Sequence, residues 1–147
     1  MYDAMHDQPL WHPDAARREA SGMARFFREV AARERGAPGA DADYATWHAW
    51  SVAEPERFWA AVWRDGGVLA DERNGAPWDA VLEGGEVMRP PDQTLGPRWF
   101  RGARLNFAEN LLRRRDDAVA IIARDERGRR RELTFAALAE EVRRVAG

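Results

Sequence analysis

The sequence predicts a fold of mixed α and β structure in two parts, joined by a long extended connector. The first part is an N-terminal helical unit, since apolar and aromatic residues recur at helical spacing up to about residue 65. Glycines and prolines then interrupt residues 66–105, which predicts a connector. Residues 106–147 predict a helix, a β-hairpin and a second helix, the beginning of an α/β domain.

The first helix boundaries follow from turn and capping residues. The segment Trp11–Asp14 predicts a turn that leads into a helix. Ser21 is placed to cap a helix whose apolar stripe comprises Met23, Phe26, Phe27, Val30 and Ala31. The glycines and the proline within residues 36–39 end that helix.

Two more helices are predicted before the connector, one from Asp43 to Trp50 and one from about Pro55 to Arg64. Ser51 and Glu54 have the spacing of a capping box, with Pro55 in the first turn of the second helix. Tryptophans recur at helical spacing in both of these predicted helices. Because large aromatics in this pattern are more often core than ligand platform, we expect the helices to pack around them.

The connector, residues 66–105, holds only short apolar runs, at Ala80–Leu82 and Val87–Met88. These predict one or two short strands. A connector of this length without regular structure is uncommon inside an independent domain, so we expect it to lie over another surface.

The last part begins with a helix predicted from Asn106 to Arg114, capped by Asn106. The uncharged run Val119–Ala123 is typical of a strand buried on both faces, and Arg130–Thr134 predicts its hairpin partner. Thr134 then caps the last helix. A strand buried on both faces needs more sheet around it, so the predicted α/β domain is incomplete.

Composition excludes several classes of chemistry. The chain of 147 residues has no cysteine, which excludes disulfides and thiolate sites, and all 23 of its basic residues are arginine. No step that needs a lysine can therefore be carried by this chain. The N-terminus is acidic without an apolar segment, and no apolar run approaches the ~20 residues that span a bilayer. These features predict a cytoplasmic protein with no membrane partner.

Charge is distributed unevenly along the chain. Residues 1–100 carry 11 arginines against 17 acidic residues, and residues 101–147 carry 12 against 8. The basic end is compatible with a nucleic-acid or phosphate ligand. However, the arginine runs 113–115 and 129–131 are flanked by acidic residues, which is typical of solvated surface. We therefore predict no nucleic-acid partner.

No catalytic, cofactor-binding or metal-binding residue is predicted from the pattern of side chains. The histidines His6, His12 and His48 lack metal-ligand spacing, and there is no glycine-rich phosphate loop. The hydroxyl residues lack a base-plus-orienter setting, and the serines have capping roles available; these residues are Ser21, Ser51, Thr46, Thr94 and Thr134. Asn106 and Asn110 could reach a ligand, but capping explains Asn106.

A series of motifs occurs in order along nearly the whole chain: Pro9–Pro13, Ser21–Phe26, Tyr44–Val52 with Pro55–Trp59, Val87–Met88, Trp99–Leu112 and Glu132–Leu138. Together these motifs resemble the acetoacetyl-CoA synthetase family of adenylate-forming enzymes. Acetyl-CoA synthetases resemble the chain near Trp99 and Leu105, but tend to differ at Gly102-Ala103 and at Asn110-Leu111. The absence of cysteine also favours the acetoacetate type.

The resemblance implies three segments: the helical part of the N-terminal domain at 9–65, the connector at 66–105, and the start of the AMP-binding adenylation domain at 106–147. It implies a ligase that uses ATP, Mg²⁺ and coenzyme A to activate acetoacetate. The family's phosphate loop, ribose-binding aspartate and catalytic lysine have no counterpart here. The chain is therefore expected to be an inactive N-terminal fragment that binds none of these cofactors alone, with the rest of its adenylation domain as partner.

Two alternatives remain open from the sequence. The chain could be a free-standing interaction module that binds a partner through its aromatic helices, in which case an exposed apolar patch is expected. It could also belong to an acetyl- or propionyl-CoA synthetase.

Overall fold

The computed structural model describes residues 11–72, 75–85 and 96–147. The chain divides into two compact units, Met1–Gly66 and Gly67–Gly147. In the described residues the first unit is helical, and the second contains two helices and two small antiparallel sheets. The predicted class of mixed α and β structure is thus confirmed. The assignment of residues 106–147 to the start of an adenylation domain stays a prediction.

The first unit has four helices: α1 (Ala15–Glu19), α2 (Gly22–Arg33), α3 (Tyr44–Ala53) and α4 (Pro55–Asp65). Side-chain oxygens begin three of them. Asp14, Ser21 and Asp43 each accept a hydrogen bond from the backbone N–H three residues further on, at 2.7, 3.1 and 2.8 Å. These bonds satisfy amide groups that a helix leaves unpaired at its N-terminus. The predicted cap at Ser21 is confirmed.

The predicted end of α3 and the capping box before α4 were wrong, whereas α4 begins at Pro55 as predicted. Helix α3 continues three residues past Trp50, because the amide of Glu54 still donates to the Trp50 carbonyl at 2.8 Å. Ser51 therefore lies within α3, where its hydroxyl donates to the His48 carbonyl at 2.8 Å instead of capping the next helix. Helix α4 has no side-chain cap and begins at Pro55, whose missing N–H costs nothing in the first turn.

Aromatic rings form the core of the first unit. Trp47 is 2% exposed, and its ring is stacked on Phe27 with centroids 4.2 Å apart and planes 1° from parallel. Trp50 meets Trp47 edge to face at 5.6 Å. The core interpretation is confirmed for these two tryptophans, whereas Trp11 and Trp59 are exposed.

The second unit contains β1 (Ala80–Glu83), β2 (Arg98–Arg101), α5 (Phe107–Leu111), β3 (Val119–Arg124), β4 (Arg130–Thr134) and α6 (Phe135–Ala146). Strands β1 and β2 pair antiparallel, with Leu82 opposite Trp99. The strand predicted near Ala80 is therefore confirmed, while β2 was not predicted as a strand. The apolar run Val87–Met88 lies outside the described residues.

The hairpin of β3 and β4 is antiparallel as predicted, with Ile121 opposite Leu133. Thr134 caps α6 by accepting from the amide of Ala137 at 3.2 Å. Asn106 caps α5, but this helix ends at Leu111 and not at Arg114 as predicted.

Strand β3, which the sequence assigns to an incomplete sheet, is not buried within this chain. Ile121 is 46% exposed and Ile122 is 54% exposed. Neighbouring residues of a strand point to opposite faces of the sheet, so each face of β3 leaves an isoleucine substantially exposed.

Candidate functional site

The two asparagines singled out as possible ligand contacts are both engaged by the protein backbone. Asn106 Oδ1 accepts from the amide of Glu109 at 3.2 Å, which is the capping role. Asn110 reaches back 41 residues: its Oδ1 accepts from the Leu69 amide at 2.8 Å and its Nδ2 donates to the Leu69 carbonyl at 2.8 Å. Because Asn110 uses its side-chain oxygen and nitrogen in these bonds, it serves as a structural tether.

A second tether lies on the same stretch of chain. Arg113 Nη1 donates to the carbonyl of Gly67 at 2.8 Å. Together with the bonds of Asn110, this contact fixes the first residues of the second unit against α5. No local pattern in the sequence signals either tether, because the backbone groups that are bound are unrelated in sequence to the side chains that bind them.

A groove of about 540 Å³ opens beside the Asn110 tether, lined by residues 68–72, 104–106 and Glu109. Its charged side chains are Asp71, Glu72, Glu109 and Arg104. Among the residues that the structure describes, no three histidine, aspartate or glutamate side chains are grouped to hold a metal ion. The sequence also contains no glycine-rich phosphate loop.

The segment between β2 and α5 is shaped by close packing. Phe100 adopts φ +48°, which is uncommon for a residue with a side chain, and its ring lies 5.2 Å from that of Trp78. Gly102 adopts φ +82°, and a Cβ at this position would lie 2.5 Å from Asp79 Oδ2. Gly102 thus has a packing role, which the sequence pattern did not indicate.

The other histidines and serines of the described residues, and Thr134, lie in helix caps, within helices or at the surface. Ser21 and Thr134 are helix caps, and Ser51 bonds within its own helix. His48 lies beside Tyr44, with ring centroids 6.0 Å apart, and His12 is exposed. His6 and Thr94 lie outside the described residues.

Charged residues of the second unit form local pairs on the surface. Arg114 Nε lies 2.6 Å from Asp116, and Arg129 Nε lies 2.6 Å from Asp125. Hydrogen bonds from these arginines hold the pKa of each aspartate below its ordinary value. Pairs of this kind satisfy neighbouring charges within a few residues, as expected for the solvated surface that the alternating charges predicted.

The most distinctive surface of the described chain is the β3 surface, which we define as the exposed apolar side chains Val119, Ile121 and Ile122 of β3. Each is more than two-fifths exposed. Strand β3 pairs with β4 and with no other described strand. A strand whose first five residues are uncharged, with exposed apolar residues on both faces, has the composition of an internal strand of a covered sheet. The β3 surface is therefore the candidate interface.

Comparison with known proteins first indicates the class of protein. A family described as the acetyl-coenzyme A synthetase N-terminus matches residues 44–111. This range includes α3, α4 and α5 together with the tether between Asn110 and Leu69. This match indicates the class of acyl-CoA synthetase N-termini.

Individual relatives make the family assignment more specific. The acetoacetyl-coenzyme A synthetase of Rhizobium meliloti (strain 1021) is 38% identical over 82% of this chain and 16% of its own length. The malonamoyl-CoA synthetase vrtB of Penicillium aethiopicum is 39% identical over 69% of this chain and 14% of its own. The solved acetoacetyl-CoA synthetase from Streptomyces lividans aligns with a TM-score of 0.67 and 35% identity, over 95% of this chain and 21% of that one.

The chain belongs to the acetoacetyl-CoA synthetase family and corresponds to its N-terminal part. It spans about a fifth or less of the length of these relatives. Every helix in the described part of the chain is too short or too polar to cross a membrane.

Proposed function

We propose that this chain forms the N-terminal part of an ATP-dependent acetoacetate–CoA ligase of the cytoplasm. The ligase converts acetoacetate, ATP and coenzyme A into acetoacetyl-CoA, AMP and pyrophosphate through acetoacetyl-AMP, with Mg²⁺ as cofactor. The observation that carries the proposal is the match of the chain to one end of a family of ligases. The exposed β3 surface supports it, because a larger α/β domain would cover both faces of that strand.

The role of these residues in the ligase is structural. The chain has no lysine and no glycine-rich phosphate loop, so the positioning and charge neutralisation of phosphates fall to residues outside it. Its partner is the remainder of the adenylation domain, which packs on the β3 surface. We propose neither a nucleic acid nor a membrane as a binding partner.

The substrate class follows from the names of two relatives. One is an acetoacetyl-CoA synthetase and the other a malonamoyl-CoA synthetase. Acetoacetate and malonamate are both short acids with a carbonyl group at C3, and they differ in carrying a methyl or an amino group beyond it. We therefore propose a short acid with a C3 carbonyl as substrate, and acetoacetate as the preferred one.

The test is ATP–pyrophosphate exchange by the complete product of the gene, read beyond codon 147. Exchange is measured with acetoacetate, malonamate, acetate and propionate at equal concentration. The proposal expects exchange with acetoacetate to exceed that with acetate by at least tenfold, a difference of about 1.4 kcal/mol in transition-state stabilisation. A preference for acetate or propionate would instead assign the chain to the acetyl- or propionyl-CoA synthetases.

The 147-residue chain serves as the control in the same assay. We expect no exchange from it with any acid, because it lacks the lysine and the phosphate loop. If the open reading frame stops at codon 147 and no exchange is found, the ligase is rejected and the interaction module becomes the leading interpretation.

A further inference from the structure

An apolar groove lies within the helical unit, between α2, α3 and α4. Its volume is about 360 Å³, within the range of about 300–1,000 Å³ that small-molecule sites in proteins occupy. Five of its lining side chains are aromatic: Phe26, Phe27, Tyr44, Trp47 and Phe58. Because Trp47 is buried and stacked on Phe27, packing fixes these two rings in the absence of a ligand. The groove is therefore a preformed aromatic surface.

One wall of the groove precedes the range that matches the acyl-CoA synthetase N-terminus. Helix α2 provides Gly22, Met23 and Phe26, whereas the match begins at residue 44. Met23 is 55% exposed, and a Cβ on Gly22 would meet no atom within 4 Å. This wall is therefore accessible from solvent, and the groove is distinct from the residues that assign the chain to its class.

A carboxylate lies among the rings of the groove. The polar lining side chains are Tyr44, His48, Ser51 and Asp65, and of the described lining residues only Asp65 is an aspartate, a glutamate or an arginine. Arg25 Nη2 contacts Asp65 Oδ1 at 3.4 Å, and within the described part of the chain Oδ2 has no partner. Its second oxygen is thus available to a hydrogen-bond donor.

The surroundings of Asp65 favour a positively charged donor. Asp65 is the last residue of α4, where the helix dipole already places partial negative charge. The faces of aromatic rings also carry negative charge and attract cations, most strongly where water is excluded. A carboxylate, a helix C-terminus and aromatic faces therefore act in the same direction, and they complement a cation that carries an apolar body.

We propose that the groove binds a small organic cation, a primary amine with an aromatic or aliphatic body. The body lies on the rings of α2 and α3 and is removed from water there. The ammonium group donates a charge-assisted hydrogen bond to Asp65 Oδ2, which fixes the orientation of the ligand. Acids are repelled by Asp65 and meet no arginine among the described lining residues. The site is thus independent of the carboxylic acids of the proposed ligase reaction.

The experiment titrates the 147-residue chain and the complete gene product with three probes of similar body. These are the cation 2-phenylethylamine, the neutral 2-phenylethanol and the anion 3-phenylpropionate. Proton–nitrogen NMR spectra report binding at individual amide and indole groups. We expect the amine to bind at least tenfold more tightly than the alcohol, with shifts at Ser51, Val62 and Asp65. The acid should give no saturable shift.

Asp65→Asn keeps the size of the side chain and removes its charge. In this variant the amine should bind no more tightly than the alcohol, whereas the affinity for the alcohol should be unchanged. The matched control is Glu56→Gln, which removes one negative charge from an exposed position of the same helix and should keep the tenfold preference. Because the preference is a ratio measured on one variant, a modest loss of stability does not alter it.

Three results would overturn the proposal. The first is equal binding of the amine and the alcohol, or no saturable binding of either, by the unmodified chain. The second is a preference for the amine that survives Asp65→Asn. The third is binding by the 147-residue chain without binding by the complete product, because another segment of the protein would then fill the groove. ATP–pyrophosphate exchange is measured separately, so loss of the ligase assignment leaves this result intact.

Discussion

The side chain of Asn110 hydrogen bonds both backbone groups of Leu69, accepting from the amide and donating to the carbonyl, each at 2.8 Å. A primary amide is one of the few side chains that can pair with a peptide group in this two-way manner. The pair joins α5 to a segment 41 residues earlier, and it lies within the range that matches the acyl-CoA synthetase N-terminus.

Asn110→Asp should destabilise the chain at neutral pH by roughly 1–3 kcal/mol, because a carboxylate oxygen would replace the donor and face the Leu69 carbonyl. Urea unfolding at pH 7, followed by circular dichroism, measures the loss. The matched control is Asn106→Asp, which keeps an acceptor at the cap of α5 and should change stability by only a few tenths of a kcal/mol. Equal effects of the two substitutions would contradict the tether.

Gly102→Ala should destabilise the chain through backbone strain and crowding. The strain at φ +82° costs about 1–2 kcal/mol for a residue with a Cβ, and the contact with Asp79 adds about 1 kcal/mol. The control is Gly128→Ala at φ +77°, where a Cβ would meet nothing within 4 Å. Thermal unfolding should show the greater loss for Gly102→Ala, and the additional substitution Asp79→Ala should remove that excess. A persistent excess would show that Asp79 is not its cause.

Trp47→Phe should destabilise the helical unit more than Trp50→Phe does. The difference in the free energy of unfolding should be roughly 1–2 kcal/mol. The indole N–H of Trp47 donates to the Gly39 carbonyl at 3.2 Å, so its removal leaves that carbonyl unpaired. The indole N–H of Trp50 is buried without a hydrogen-bond partner, so the phenylalanine there removes an unsatisfied donor. Urea midpoints at equal m-values test the order, and the reverse order would contradict these assignments.

The cap of α3 should make stability depend on pH at acidic values. Hydrogen bonds from the side chain and backbone of Thr46 hold the pKa of Asp43 below its ordinary value. A carboxyl group whose pKa is lowered by folding contributes stability above its unfolded pKa, and the contribution is lost as pH falls through the folded pKa. Asn caps a helix comparably but does not titrate, so Asp43→Asn should lose less stability than the unmodified chain between pH 5 and pH 2. Parallel melting curves across this range would contradict the prediction.

The helix caps and the hairpin were predictable from the sequence, because the groups that form them are close in the chain. Ser21, Asn106 and Thr134 each bond an amide three residues away, and the spacing alone brings the two groups together. The turn at Asp125–Gly128 and the apolar run of β3 likewise marked the hairpin. The same local rules also suggested a cap at Ser51, which failed because α3 gained another turn before Pro55 ended it.

The contacts that join distant residues were decided only by the tertiary structure. The tether from Asn110 to Leu69, the ring contact of Trp78 with Phe100 and the approach of Gly102 to Asp79 have no signature in either partner's local sequence. The sequence by itself determined which segments are helical or extended, since those choices depend on neighbours along the chain. The tertiary structure decided which apolar faces are covered, because burial depends on what other segments are present to pack, and β3 therefore remains exposed here despite its apolar composition.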